Sequence, residues 1–251
     1  MTATLAPIPA APAATTPADV RHLGTILGVW AHPDDESYLS AGLMALARAG
    51  GQRVVVVSLT AGDQGTDDPA LRGRFLASHR RAELAASLAC LGVTEHHVLG
   101  LPDGGCAALG DGPGAALVGQ WIDEVRPDTV VTFGPDGLTG HPDHLAVHRW
   151  TTAAWIERQR EVRLLQAAVT PDFHRRWGHV NEAIDLWQWQ PDVPCTPEDE
   201  LALAVRCEPE VLDRKIAALR AHRSQTSGLI DQLGMEDYRA WWSVETFAAA
   251  A

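Results

Sequence analysis

Two short runs in this chain hold the residue types that metal-assisted hydrolysis needs. One is Ala31-His32-Pro33-Asp34-Asp35-Glu36, and the other is His141-Pro142-Asp143-His144. Proline suits the first position of a helix and drives the residue before it towards an extended conformation. His32 and His141 should therefore end incoming segments, and Asp34, Asp35, Asp143 and His144 should fall in the first turns of the helices that follow. Such turns expose free N–H groups and a partial positive charge, which keeps carboxylates ionised, as metal ligation requires. One such turn is an ordinary acidic helix start. Two His-Pro-Asp turns in one chain point to a site.

Two imidazoles and one carboxylate with an open position make a catalytic zinc arrangement. His32, Asp35 and His144 are the expected ligands of one zinc ion per chain, with another divalent ion such as Fe2+ as the alternative. Zinc lowers the pKa of bound water to about 7 and polarises a carbonyl. Asp34, beside the metal, is the expected general base. His141 is expected to stabilise the oxyanion and protonate the departing amine, with the nearby Asp143 raising its pKa. His148 shares a helical face with His144 and is a rival ligand, read here as support or packing. His222 is open between a role at the site and a surface or cap role.

The elements that must position these residues alternate between strand and helix patterns. Strands are expected at 24–31, 53–60, 96–99, 128–133, 162–169 and 201–207. Helices are expected at 37–49, 74–91, 113–126, 142–159 and 209–222, several closed by glycine or proline. This alternation predicts an α/β fold: a Rossmann-like, mostly parallel sheet with helices on both faces, followed by a less regular C-terminal part. The reading divides the chain into a disordered tail over 1–20 and a single domain over 21–251. That domain has a core at about 24–170 and an extension at about 171–251. In an open parallel sheet, ligands bind beyond the C-terminal strand ends, which is where both His-Pro-Asp turns fall. The tryptophans Trp177, Trp187, Trp189, Trp241 and Trp242 are read as packing rather than substrate stacking.

Composition narrows the function class. The chain has 251 residues, 46% of them hydrophobic, which is enough for one sizeable core. A formal net charge of −12 argues against a nucleic-acid partner and against attachment to an anionic membrane. No apolar run approaches a membrane span, and prolines interrupt the N-terminal stretch that a secretory signal would occupy. The four cysteines form no C-x-x-C pair and read as reduced thiols, so a cytoplasmic location is expected.

The two runs together resemble the LmbE-like, or PIG-L, zinc deacetylases. The same likeness extends to Leu59-Thr60-Ala61-Gly62-Asp63, to Arg80 through Glu83, to Leu99-Gly100-Leu101-Pro102-Asp103-Gly104 and to Ala221-His222-Arg223-Ser224-Gln225. It covers about residues 24–225. The resemblance implies a Rossmann-like fold, a divalent metal and hydrolysis of an N-acetyl group on a glucosamine-type sugar. It implies Asp34 as base and His141 as oxyanion and acid partner. It also implies a substrate contact at Arg80, with Asp63 and Asp103 of the other motifs as further substrate-binding residues. Thr66 and Thr139 stand where some members that act on sugar conjugates carry Glu and Tyr.

Three other readings share these residues. An amidase acting on a larger thiol-, lipid- or antibiotic-linked conjugate would use the same metal chemistry. A non-haem iron oxygenase also needs two histidines and a carboxylate, and is expected on a β-rich scaffold. A nucleotide-binding module would place its loop at 59–65, which lacks the G-x-G-x-x-G spacing. The partner expected from the sequence is a small N-acylated molecule, with the chain itself able to form a homo-oligomer.

Overall fold

The computed structural model describes residues 13–187, 189 and 192–250. The elements run β1 (Ala13–Ala14), α1 (Pro17–Val20), β2 (Ile26–Trp30), α2 (Asp35–Ala49), β3 (Val54–Thr60), α3 (Arg74–Leu91), β4 (Glu95–Leu101), α4 (Cys106–Leu109) and α5 (Asp111–Val125). They continue with β5 (Thr129–Phe133), α6 (Pro142–Glu157), β6 (Arg163–Ala167), α7 (Pro171–Ala183), β7 (Leu201–Arg206), α8 (Pro209–Ala221), α9 (Arg223–Leu233), α10 (Met235–Trp241) and β8 (Val244–Ala249).

One eight-stranded sheet has the order β1-β7-β8-β6-β5-β2-β3-β4. From β6 to β4 every pairing is parallel. All residues of β2, β3 and β5 are buried, so helices cover both faces there. Val54 to Val57 supply the β-branched run that such a doubly covered strand prefers. Ile26 of β2 registers against Val54 on one side and Thr129 on the other. The chain winds from β2 towards β4 in one direction, then returns to β5 and winds the opposite way. The crevice at that reversal lies beyond the C-terminal ends of β2 and β5, where an open α/β sheet binds ligands.

Terminators act as their chemistry dictates. Gly92 ends α3 in the left-handed region at φ 76°, its N–H reaching the Ala89 carbonyl. Pro142 opens α6, and Pro171 and Pro209 open α7 and α8.

The C-terminal part is more regular than its sequence suggests. β8 is antiparallel to both β6 and β7 and completes the sheet between them. Trp177, Trp241 and Trp242 join Val180, Ile216, Leu219 and Tyr238 in a second apolar cluster, as the packing reading expected. Lys215, the one lysine, is fully buried. Its Nζ donates to Glu245 Oε1 and to the Tyr38 carbonyl, each at 2.8 Å, while Glu245 also accepts from the N–H groups of Gly42 and Leu43. A buried ion pair saturated in this way ties β8 and α8 to α2. All four cysteines are free, and no helix among the described residues is long and apolar enough to cross a membrane.

The expected tail does not extend to residue 20. Residues 1–12 lie outside the described residues, but Ala13 and Ala14 pair in parallel with Ala204 and Val205. Asp19 accepts from the N–H groups of Thr15 and Thr16, and Val20 is fully buried. Removing residues 1–20 should therefore destabilise the fold by about 2 kcal/mol or more, the scale of burying one valine plus an edge pairing. For a chain of this size that lowers Tm by roughly 4–8 °C. Comparing melts of chains starting at residue 13 and at residue 21 isolates this contribution, and equal melting would show that the 13–20 packing contributes nothing.

Candidate metal and catalytic site

β2 delivers the first run to the crevice and the loop after β5 delivers the second. α2 begins at Asp35, two residues earlier than its hydrophobic pattern suggests, which makes Asp34 its N-cap. Asp34 sits at φ 127°, ψ −31°, a conformation that a non-glycine residue holds only when its surroundings over-determine it. Those surroundings are identifiable. The Asp34 N–H donates to Glu36 Oε2 at 3.0 Å, and its carbonyl accepts from the N–H groups of Ser37 and Tyr38. Its carboxylate meets the Arg80 guanidinium at 3.1 Å. Arg80 comes from α3, is 3% exposed, and donates to the carbonyls of Gly62 and Pro33. Gly62 lies at φ 63°, and a Cβ there would stand 2.2 Å from Arg80 Nη1, so only glycine leaves room for this guanidinium.

His32, Asp35 and His144 converge. His32 Nδ1 is 3.2 Å from His144 Nε2, and the Asp35 carboxylate lies 3.4 Å from His144 Nε2 and 3.7 Å from His32 Nδ1. The far sides of both rings fix their tautomers. His144 Nδ1 faces the Gly137 carbonyl at 3.0 Å, so it carries a hydrogen and leaves a lone pair on Nε2. His32 Nε2 faces Asp103 at 3.0 Å and Asp143 at 3.3 Å, so it too is a donor, leaving Nδ1 as the inward atom. Two inward ring nitrogens beside a carboxylate require a proton or a cation between them. This donor set fits a divalent ion. Ligand atoms of His32, His141 and His144 also lie close together, but His141 Nδ1 already accepts from the Asp143 N–H. A further grouping, His32 with Asp103 and Asp143, clusters ligand atoms too. Its carboxylates are already engaged: Asp143 accepts from the Gly104 and Cys106 N–H groups, and Asp103 from the Gln64 N–H. Asp35 gives one oxygen to a backbone amide, the His32 N–H at 2.7 Å, and turns the other towards His144.

Burial pushes both Asp34 and Asp35 above the ordinary carboxylate range, opposed at Asp34 by the Arg80 charge and at Asp35 by His32. Burial alone would lower His32, but hydrogen bonds to Asp103 and Asp143 and the charge of Asp35 raise it to about 10 in the metal-free protein. Burial would likewise raise Asp103, yet the His32 bond and charge hold it at about 2.

His141 differs from its expected state. It is the N-cap of α6, its Nδ1 accepting from the Asp143 N–H at 3.1 Å, so the hydrogen of the neutral ring sits on Nε2. Burial and the neighbouring His32 and His144 rings lower it to about 4. The Asp143 carboxylate, fully buried, spends itself on His32 and two backbone amides, and does not keep His141 protonated. Asp143 thus holds His32 from behind.

The three residues expected to bind substrate sit in different settings. Arg80 borders the pocket, but Asp34 and two carbonyls occupy its guanidinium. Asp103 lines the pocket while holding His32. Asp63 accepts from the Gln64 side chain and is not among the lining residues. His148 Nδ1 faces the Phe133 carbonyl at 3.1 Å, in keeping with support rather than ligation. His222 is fully buried and pairs with Glu36 at 3.0 Å. Glu36 therefore links His222 to the Asp34 backbone, a connection no local motif signals. Trp189, 54% exposed, stands edge-on to His141 with ring centroids 5.6 Å apart. The pocket over the triad measures about 460 Å3, with Gln64, Asp103, Thr139, His141, Trp189 and Gln225 among its walls.

Residues 27–155 match the family model described as PIG-L, GlcNAc-PI de-N-acetylase. The chain is 36% identical over 231 residues to a 1D-myo-inositol 2-acetamido-2-deoxy-alpha-D-glucopyranoside deacetylase from Saccharomonospora viridis, covering 80% of this chain and 84% of that protein. Among solved structures, a deacetylase triple mutant of the teicoplanin biosynthetic pathway superposes with a TM-score of 0.65 at 21% identity, covering 90% of this chain and 97% of that one. The N,N'-diacetylchitobiose deacetylase of Pyrococcus horikoshii gives 0.61 at 20% identity, covering 92% of this chain and 85% of the other. At those identities the two structures speak to the fold.

Proposed function

The chain belongs to the PIG-L family, and from that premise we propose that it hydrolyses the N-acetyl group of a small amino-sugar conjugate, such as a glucosamine joined to a polyol, using one zinc ion held by His32, Asp35 and His144. The observation that carries this reading is the convergence of two lone-pair-bearing imidazoles and a carboxylate, with a half-buried, arginine-held aspartate next in sequence. A divalent ion there supplies Lewis-acid polarisation of the amide carbonyl and makes water acidic enough to react near neutral pH.

The chain's own residues supply the rest. Asp34 takes the proton of the attacking water. Its raised pKa also suits it to carry that proton to the departing nitrogen. His141, neutral and with its hydrogen on Nε2, donates a hydrogen bond to the oxyanion. Asp103 and Asp143 hold His32 in the tautomer that points Nδ1 inward. The iron-oxygenase reading expected a β-rich scaffold, whereas the sheet alternates with helices throughout its parallel part.

The test is to incubate zinc-loaded protein with N-acetylglucosaminyl-inositol and with simple N-acetylated sugars, and to detect the free amine by mass spectrometry. Amine release from the inositol conjugate supports the proposal. No amine from any N-acetylated sugar, with metal shown to be bound, would overturn it. His141→Ala should lower turnover by roughly 100-fold with metal content intact, the scale of one oxyanion donor. A neutral donor contributes no ionisation near pH 7, so the shape of the pH–rate profile should survive the substitution. An abolished alkaline limb would instead assign a protonated His141.

A further inference from the structure

Glu36 directly follows the proposed base and ligand in sequence, yet its side chain is fully buried and does not line the pocket over the triad. Both of its oxygens are engaged. Oε2 accepts from the Asp34 N–H at 3.0 Å. Oε1 accepts from the Ser37 hydroxyl at 2.6 Å and from His222 Nε2 at 3.0 Å. Ser87 of α3 stands behind Ser37, with 2.7 Å between the hydroxyl oxygens. Ser37, Ser87 and His222 are themselves fully buried. His222 sits where α8 gives way to α9, and its carbonyl accepts from the N–H groups of Gln225 and Thr226. The Glu36 carboxylate is thus fixed from α2, from α3 and from the α8–α9 junction, with a donor for each of its three contacts.

The other edge of the same peptide is held as well. The Pro33 carbonyl, across the peptide bond from the Asp34 N–H, accepts from Arg80 Nη2. A flip of this peptide plane would take Asp34 from φ 127° to about −50°, an ordinary helical value at its ψ of −31°. The strained backbone is therefore one flip away from a relaxed one, and two clamps hold it. After a flip the N–H would face the Arg80 guanidinium, donor against donor. The Pro33 carbonyl would face the Glu36 carboxylate, acceptor against acceptor. Arg80 would then shift and release the Asp34 carboxylate that it meets at 3.1 Å. We infer that Glu36, seated by His222, is a positioning residue for the base: it locks the Pro33–Asp34 peptide and so keeps Arg80 and the Asp34 carboxylate aligned for proton transfer. The inference rests on the reading of Asp34 as the base of the N-deacetylase reaction proposed above.

Glu36→Met matches glutamate in length and removes the charged acceptor. The full, zinc-loaded variant should lose kcat for N-acetylglucosaminyl-inositol by on the order of 100-fold, the cost of misplacing a reacting group by about an ångström. Its KM should stay within about twofold, and its zinc content should not change. Glu36→Gln keeps a carbonyl oxygen for the Asp34 N–H and should recover most of the loss. A double-mutant cycle separates positioning from mere support of the fold. In an Asp34→Asn background no base remains to be aligned, so Glu36→Met should cost less than about threefold. A crystal structure of Glu36→Met should show Asp34 at negative φ. His222→Leu unseats Glu36 from the other side, and the same cycle run with it covers the case in which Glu36→Met does not fold. If Asp34→Asn is slow but Glu36→Met costs as much with it as without it, this inference alone is overturned. Asp34 still at positive φ in Glu36→Met overturns it too. If the unaltered chain releases no amine, or Asp34→Asn keeps near-normal turnover, the reading of the base fails and this inference with it.

Discussion

Asp34→Asn should keep its metal and lose turnover by about 100- to 10,000-fold, the usual contribution of a general base. The amide is nearly the same size, and asparagine tolerates positive φ better than most residues, so the strained N-cap at φ 127° should survive. What it cannot do is accept a proton from water. The variant also leaves the Arg80 guanidinium without its counter-ion, although two carbonyls still bind it. A melt must therefore show that the folded fraction is unchanged before the rate is read. The pH dependence follows from the same group. Burial raises Asp34, and the base works only when ionised, so the rate of the unaltered enzyme should fall as pH drops through a value above the ordinary carboxylate range. That acidic limb should be missing from the residual activity of Asp34→Asn. A fully metallated variant with near-normal turnover would remove Asp34 from the reaction.

Why some of this was legible in the sequence and some not has a physical basis. The convergence of His32, Asp35 and His144 was readable because each half is local. Proline fixes the geometry of His32 relative to Asp35, and of His141 relative to His144, within a single turn. The α/β alternation then placed both halves at one sheet edge. The contacts that arrange the site were not readable, because they depend on which way a side chain faces after folding. Asp103 and Arg80 line the pocket and Asp143 is buried behind His32, and sequence alone gave the three substrate or acid–base roles. In the fold, two hold His32 and the third holds Asp34. Glu36 with His222 is the extreme case: the partners are 186 positions apart, and neither type nor spacing announces the pair. The last strand was hidden for a similar reason. In β8 only Glu245 and Phe247 are fully buried, and Glu245 looks like a surface residue until Lys215 is seen beneath it. Residues 13–20 were misread because an Ala-, Thr- and Pro-rich stretch carries no periodicity, while two alanines pairing at a sheet edge need none.

Substituting a ligand should remove metal and activity together, and the two histidines should differ in what else they lose. His144→Ala and His32→Ala each leave two donors where three converged. After dialysis, elemental analysis should find little metal in either, and turnover should fall roughly 1,000-fold or more, since Lewis-acid polarisation contributes several kcal/mol. His144 is stacked on Phe133 and tied to one carbonyl, so its removal costs packing and one hydrogen bond. His32 is the donor that faces both Asp103 and Asp143, and Asp143 is fully buried. His32→Ala should therefore bring those carboxylates together without their shared partner and melt lower than His144→Ala, beyond the difference in metal content. The metal-free wild type adds an independent check. His32 there holds its proton up to about 10, and that proton occupies the position the ion would take. Loading metal at pH 7 should release about one proton, measurable by calorimetry in buffers of different ionisation enthalpy, and affinity should weaken as pH falls. Full metal occupancy in either alanine variant, or loading without proton release, would move the ion away from the His32–Asp35–His144 set.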